Sequence, residues 1–147
     1  FFQSLILDMA GNTGTQSLAV TIRVISNEQT TKKDVAKLIL KELKVGLLNG
    51  LIIGSISFCV VLLFLMFVKS KDAGMIYNLK IATSIGISML ASIIVANAAG
   101  TIIPVIFKKC KVDPAVASGP LITTLNDIIA VSIYYGLAWI LFKTLIG

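Results

Sequence analysis

Four long apolar runs constrain the fold of this 147-residue chain more than any other feature, and they cover roughly residues 1–25, 45–68, 81–107 and 115–146. Each run is near or above the ~20 residues that an α-helix needs to cross the hydrocarbon of a membrane. Hydrophobic residues make up 56% of the chain and charged residues 14%, a balance that a water-soluble domain of this size cannot hide in one core. The sequence therefore predicts a multi-pass protein of the cell membrane, embedded in the lipid bilayer. Because the runs are long and do not alternate strictly, they favour helices over barrel strands, and we expect an all-α bundle of transmembrane helices.

The basic residues lie mainly on alternate connections between these runs. From the end of the first run to the start of the second, and between the third and the fourth, lie Arg23, Lys32, Lys33, Lys37, Lys41, Lys44, Lys108, Lys109 and Lys111. The remaining four are Lys69, Lys71, Lys80 and Lys143. By the positive-inside rule, this asymmetry predicts that the first-to-second and third-to-fourth connections are cytoplasmic. Orientation thus explains the formal charge of +6, and we expect no nucleic-acid partner.

The segment between the first two runs, residues 30–44, has the pattern of an amphipathic helix. Val35, Leu38, Ile39 and Leu43 recur on one side, and Lys33, Lys37, Lys41 and Lys44 recur on the other. We expect this segment to lie along the inner membrane surface as an interfacial helix, with its lysines near anionic head groups.

Small residues recur at intervals of four in the second and third runs. The second run carries Gly46, Gly50 and Gly54, and the third carries Ser84, Ser88, Ser92, Ala96 and Gly100. Small residues at this spacing let helix backbones approach closely inside a membrane, where dispersion contacts drive association. Both helices are therefore predicted to pack against neighbours along these series.

Prolines mark three positions near the ends of the last two runs. Pro104 predicts a kink near the end of the third run, and the Asp113-Pro114 pair predicts a turn, with Asp113 capping the next helix. Pro120 has two interpretations that the sequence leaves open. It either frees a backbone carbonyl one turn upstream for a cation, or it is a tolerated proline near a helix start.

An acid lies inside the fourth run. Asp127 is preceded by Thr123 and Thr124, whose hydroxyls lie on or beside its face of a helix. Carrying a carboxylate into lipid-like surroundings costs several kcal/mol, and such groups are retained mainly where an ion or a proton is handled. Asp127 is therefore the leading candidate for a cation site.

Other polar side chains in the apolar runs add to this candidate site. Asp8, Asn12 and Gln16 recur every four residues and predict one polar stripe on the first helix, while Asn97 adds an amide from the third run. The chain has no His, and Cys59 and Cys110 lie far apart, which excludes zinc, haem and dithiol chemistry of the usual kinds. Oxygen and amide donors instead indicate a hard cation, with Mg²⁺, Ca²⁺, Na⁺ and H⁺ all left open. A site with so few acids suits Mg²⁺ that keeps its water shell.

Four separated blocks of the sequence closely resemble the membrane domain of the MgtE family of magnesium transporters. They are DMAGNTGTQS at residues 8–17 with IR at 22–23, KE at 41–42 with VGLLNG at 45–50, ANAAG at 96–100 with Pro104, and VDPA at 112–115 through SGP at 118–120 to TTLND at 123–127. The resemblance covers nearly the whole chain, and the blocks occur in the family's order. Two positions depart from the family pattern: Ala10, where Gly is frequent, and Gly119, where Asn is common.

The resemblance implies a five-helix membrane domain that forms a homodimer, with a pore lined chiefly by the second and fifth helices. On this basis residues 1–147 are one cation-transport domain that begins within the second helix, and the fourth run is the fifth helix. The acid that matches Asp127 would bind hydrated Mg²⁺, and residues 12–16 would line the pore toward the cytoplasm. The cytosolic regulatory domains of many members, including the CBS pair, are expected to be absent from this chain.

The sequence thus predicts a transporter of Mg²⁺, with no enzymatic activity, whose ion contacts are Asp127, Asp8, Asn12, Gln16, Thr123, Thr124 and Asn97. An alternative is a secondary transporter or exchanger in which Asp127 binds Na⁺ or H⁺ as the coupling ion. The chain is also similar to the solute carrier 41 family, whose members are described as sodium-coupled magnesium exchangers. This similarity implies Na⁺ as a possible coupling ion. A third hypothesis is a membrane anchor or assembly module that transports nothing.

Overall fold

Four α-helices account for most of the computed structural model, which describes residues 2–68, 74–113 and 119–146. They are α1 (Gln3–Ile25), α2 (Lys32–Val68), α3 (Met75–Lys109) and α4 (Gly119–Ile146). No strand occurs within these ranges. The predicted all-α helical bundle is therefore confirmed.

Three of these helices are long and apolar enough to cross a membrane, judged by length and composition: Lys32–Phe67, Met75–Lys109 and Pro120–Leu141. The first helix, α1, is 23 residues long but does not belong to this group. Its apolar run is interrupted by Asp8, Asn12 and Gln16, which form the polar stripe. The protein is an integral membrane protein in which one helix is markedly more polar than the others.

The expected interfacial helix and the second apolar run form one uninterrupted helix, α2. Thr31 and Asp34 begin it with a capping box, because the Asp34 carboxylate accepts from the Thr31 backbone at 3.0 Å and the Asp34 backbone donates to the Thr31 hydroxyl at 3.3 Å. The 37 residues of α2 extend about 55 Å at 1.5 Å per residue, well beyond the ~30 Å of hydrocarbon. The amphipathic segment is therefore the first part of a spanning helix rather than a separate element.

The helix α3 lies at the centre of the bundle and packs against the other three helices. Its interface with α2 is the most extensive, and the predicted glycines of α2 lie in it. A Cβ atom at Gly54 would be 2.9 Å from the carbonyl oxygen of Gly86, and one at Gly50 would be 3.1 Å from that of Leu90. A larger residue at either position would press on the backbone of α3, so the predicted packing along the α2 series is confirmed.

Ala96 and Gly100, from the predicted series of small residues on α3, face the remaining helices. Ala96 forms one buried cluster with Ala10 of α1 and Ala130 of α4. A Cβ atom at Gly100 would lie 3.3 Å from the Cα atom of Gly14 in α1. The second predicted packing surface is thus also confirmed, and it places α1 and α4 side by side on α3.

The cytoplasmic end of α1, as the charge pattern orients it, is held by side chains from outside the helix. The carbonyl of Val24 accepts from the Thr30 hydroxyl at 2.7 Å, and the carbonyl of Ile25 accepts from the Lys108 ammonium group of α3. The last carbonyls of a helix have no partner within it, so these bonds stabilise the end of α1.

The three proline positions have different outcomes. α3 continues through Pro104 to Lys109, with no amide hydrogen at residue 104 to bond the Gly100 carbonyl. Pro120 lies in the first turn of α4 as described, and its own carbonyl accepts from the Thr124 hydroxyl at 2.8 Å, which favours the interpretation of a proline at a helix start. Two of the proline predictions lie outside the described residues: the carbonyl one turn upstream of Pro120, and the turn at Pro114 with the helix start that Asp113 was expected to cap. The loop lysines Lys69 and Lys71 also lie outside them.

Candidate cation site

An open groove runs between α1 and α4, with a volume of about 450 Å³. Its lining residues are Ser4, Leu7, Asp8, Gly11, Asn12, Thr15, Thr123 and Asp127. Two carboxylates from different helices therefore face the same space. Among the described residues that line the groove, none is basic.

The α4 side of the groove carries Asp127 and Thr123, both half-buried. A Cβ atom at Gly11 would lie 3.9 Å from Oδ1 of Asp127, so the carboxylate faces the backbone of α1 where that backbone has no side chain. Thr123 precedes Asp127 by four residues, which places both on one face of α4. The fourth helix thus presents a hydroxyl and a carboxylate to the same groove.

The α1 side carries the polar stripe that the sequence predicts. Asp8 and Asn12 are exposed in the groove, one helical turn apart. Thr15 adds a hydroxyl that is held in place, because its Oγ1 lies 3.0 Å from the carbonyls of both Gly11 and Asn12. Sequence reasoning did not include Thr15, although its spacing of four from Gly11 places it on the same face.

Four of the seven predicted site residues come together here: Asp8, Asn12, Thr123 and Asp127. Gln16 and Thr124 are exposed but do not line the groove, and the Thr124 hydroxyl bonds to the Pro120 carbonyl. Asn97 is 2% exposed in the centre of the bundle, where its amide nitrogen donates to the carbonyl oxygen of Glu42 at 2.5 Å. The structure therefore places Asn97 in the packing between α2 and α3, away from the groove.

Asn126, the residue before Asp127, is fully buried beside α1 and was not among the predicted site residues. A Cβ atom at Gly14 would lie 2.9 Å from Cγ of Asn126, so this glycine makes room for the amide. Neither side-chain polar atom of Asn126 has a hydrogen-bond partner among the described residues. Sequence reasoning missed Asn126 because the residue of α4 that lies opposite Gly14 depends on how the two helices pack.

The chemistry of the groove fits a hydrated cation better than a bare one. Among the residues that the structure describes, no group of three or more His, Cys, Asp or Glu side chains is placed to hold a metal directly. Six water molecules occupy roughly 180 Å³ at about 30 Å³ each, which the groove of about 450 Å³ exceeds. Carboxylates, hydroxyls and amides can bind such a water shell through hydrogen bonds, and Mg²⁺ is the cation that most retains its waters.

The fold and the groove define a class of protein, a polytopic helical membrane protein with an oxygen-lined, acidic groove between two helices. Residues 3–137 match the model of the MgtE family, which is described as a divalent cation transporter. The chain belongs to the MgtE family. The resemblance seen in the sequence is thereby confirmed.

Individual relatives agree with this assignment. The chain is 41% identical over 138 residues to the magnesium transporter MgtE of Bacillus subtilis, with 94% of this chain and 28% of the relative covered. It is 42% identical over 137 residues to the magnesium transporter MgtE of Enterococcus faecalis, with 93% and 28% covered. The magnesium transporter MgtE of Thermus thermophilus is 32% identical over 143 residues, with 97% and 29% covered. The chain thus spans less than a third of the length of these relatives.

Proposed function

We propose that this chain forms a pathway for Mg²⁺ across a cell membrane and that Asp127 is its principal cation site. The observation that carries the proposal is the joint position of Asp127 and Asp8, from two different helices, on one groove whose described lining contains no basic residue. Two carboxylates that share a space attract a divalent cation through the sum of their negative charges.

The identity of the ion is supported by the family and by the donors. The family description names divalent cations, and the relatives are named as magnesium transporters. In the groove, Asp127 and Asp8 would accept hydrogen bonds from the waters of hydrated Mg²⁺, and Asn12 and Thr123 would hold other waters of the shell. Contacts through water keep binding weak enough for the ion to leave, which conduction requires.

The remaining predicted residues have lesser roles in this proposal. Gln16 continues the polar stripe of α1 one turn beyond Asn12 and would meet the ion on the cytoplasmic side of the groove. Thr124 and Asn97 lie outside the groove and would act only through the packing of α4 and α3.

We further propose that two copies of the chain assemble around the pathway. The groove is open along one side, and a membrane-spanning ion route needs polar or protein walls all around it. The homodimer that the family resemblance implies would supply the second wall. A spin-labelled or cross-linked pair of chains that contact each other elsewhere would contradict this arrangement.

Flux into liposomes tests the proposed function directly. Purified protein reconstituted in liposomes with a Mg²⁺-sensitive dye inside should admit Mg²⁺ when Mg²⁺ is added outside, at a rate independent of a Na⁺ gradient. If flux occurs only with an opposing Na⁺ or H⁺ gradient, the coupled exchanger replaces the simple pathway. If there is no flux under any gradient, the membrane anchor or assembly module becomes the better account.

A further inference from the structure

A third carboxylate, unlike the two that face the groove, is buried in the bundle. Glu42 of α2 is 5% exposed, although the segment around it is rich in exposed lysines. Its Oε2 atom accepts a hydrogen bond of 2.5 Å from the hydroxyl of Ser17 in α1. Burying a carboxylate costs several kcal/mol unless its hydrogen bonds are made, so this contact matters for where α1 lies.

The α3 helix completes a polar network around this bond. Thr101 donates to the Ser17 hydroxyl at 3.3 Å and lies 3.0 Å from the Asn97 carbonyl oxygen. Asn97 in turn donates from its amide nitrogen to the backbone carbonyl of Glu42 at 2.5 Å. We call these four residues, Ser17, Glu42, Asn97 and Thr101, the Glu42 cluster, and each is at most 5% exposed.

Close packing fixes the cluster from the α2 side. A Cβ atom at Gly46, one turn after Glu42, would be 2.8 Å from the Cβ atom of Asn97. The Asn97 side chain therefore has little freedom to move away from the Glu42 carbonyl. Since α1 and α2 otherwise touch little, the bond from Ser17 to Glu42 is the principal direct polar link between the described parts of these two helices.

The position of Ser17 on α1 connects the cluster to the groove. Ser17 follows Asp8 by nine residues, which is about two and a half turns at 3.6 residues per turn and so places the two on opposite faces. The buried face of α1 is thus held by the Glu42 cluster while its other face presents Asp8 and Asn12 to the groove. A rotation or tilt of α1 on losing this bond would change the distance from Asp8 to Asp127.

We propose that Glu42 is a positioning residue for cation transport, which holds α1 through Ser17 at the distance from α4 that the ion site requires. This inference rests on the proposed function. It assigns a role to a carboxylate that never touches the ion, and it places that role at the junction of α1, α2 and α3.

Kinetics of Mg²⁺ flux in liposomes separate this role from a general effect on folding. Glu42→Gln keeps an oxygen that accepts from Ser17, so its KM should stay within about twofold of the original chain. Glu42→Leu removes the acceptor and should raise KM by about tenfold, the size expected for a lost hydrogen bond to a charged group, with a smaller change in maximal rate. Equal defects in the Gln and Leu variants, or an unchanged KM in a folded Leu variant, would overturn the inference.

A double-mutant cycle of Ser17→Ala and Glu42→Leu tests the hydrogen bond from both of its partners, so the conclusion does not depend on one variant alone. Ser17→Ala removes the same bond from the α1 side, so it should also raise KM, and the double variant with Glu42→Leu should be no worse than the single one. The control is Ser57→Ala, which removes a buried hydroxyl of α2 outside the cluster and should leave KM unchanged. If Glu42→Leu does not fold, Ser17→Ala alone tests the proposed link. An unchanged KM for Mg²⁺ in the Ser17→Ala protein would contradict it.

A distance measurement across the groove tests the positioning role even if the chain shows no Mg²⁺ flux. Spin labels at Leu5→Cys in α1 and Ile128→Cys in α4, both exposed positions, report the width of the groove once Cys59 and Cys110 are replaced by Ser. Glu42→Leu should shift or broaden this distance relative to Glu42→Gln. If the original chain shows no Mg²⁺ flux, the proposed function is wrong, yet a shifted distance still supports the positioning role. An unshifted distance in the Leu variant would refute that role.

Discussion

Oδ1 of Asp127 lies 3.9 Å from the position that a Cβ atom would take at Gly11. The carboxylate of α4 is therefore directly opposite the backbone of α1. A methyl group at residue 11 would make an ordinary van der Waals contact with it. Three residues further along α1, Gly14 meets Asn126 in the same way but more tightly. The two glycines set how closely α4 approaches α1.

The different tightness of these two contacts gives a first prediction. A Cβ atom at Gly14 would be 2.9 Å from Cγ of Asn126 and 3.1 Å from the carbonyl oxygen of Ala96, a backbone atom that cannot easily move. Gly14→Ala should therefore lower the free energy of unfolding by about 1–3 kcal/mol through overpacking, as thermal unfolding in detergent would show.

Two matched variants control for the alanine itself. Gly11→Ala makes only an ordinary contact and should be tolerated, while Gly136→Ala meets nothing within 4 Å. Since alanine favours a helix over glycine by up to about 1 kcal/mol, Gly136→Ala should be neutral or slightly stabilising. A Gly14→Ala protein as stable as the Gly136→Ala protein would contradict the close packing of α1 on α3 and α4.

Asp8 should contribute to transport less than Asp127 does. It lies in the same groove but is exposed, and solvent screens its charge more strongly. Asp8→Asn should raise the KM for Mg²⁺ by several-fold without abolishing flux, whereas Gln16→Ala, outside the groove lining, should change KM less. Flux assays over a range of Mg²⁺ concentrations measure both values. An Asp8→Asn variant with an unaltered KM would assign Asp8 to structure alone.

Asn126 yields a prediction about stability. Its amide is fully buried, and neither polar atom has a hydrogen-bond partner among the described residues. Removing an unpaired buried amide also removes its desolvation penalty, so Asn126→Ala should lower the free energy of unfolding by less than about 1 kcal/mol, well below the usual cost of a large-to-small core substitution. Chemical or thermal unfolding checks this. A loss of several kcal/mol would mean that the amide has a partner in the assembled protein.

The length of the apolar runs was enough to predict the helical bundle. The glycine intervals correctly predicted the face along which α2 packs, but not that α3 is its partner there. The sequence did not show that residues 30–44 continue into α2, because the amphipathic period is the same for a surface helix and for the first turns of a spanning one. Asn97 was assigned to the site on its residue type, but which side of α3 faces α2 depends on tertiary packing.

Glu42 is the opposite case, a residue that the sequence did not single out although the packing gives it polar partners. It lies in a lysine-rich segment whose pattern indicates a solvated surface, yet it is buried against Ser17. A buried acid whose partners come from two other helices leaves no local spacing by which it can be recognised. Asp127 was recognisable because it lies inside a long apolar run, whereas the position of Asp8 on the same groove depended on the fold.

The central claim is that Asp127 handles the transported ion, and Mg²⁺ flux in liposomes tests it most directly. The measurement compares the original chain with Asp127→Ala and with Glu28→Ala, which removes an exposed acid of the α1–α2 connection. Flux should be abolished in Asp127→Ala and retained in Glu28→Ala at equal amounts of folded protein. Normal Mg²⁺ flux in a folded Asp127→Ala protein would contradict the claim.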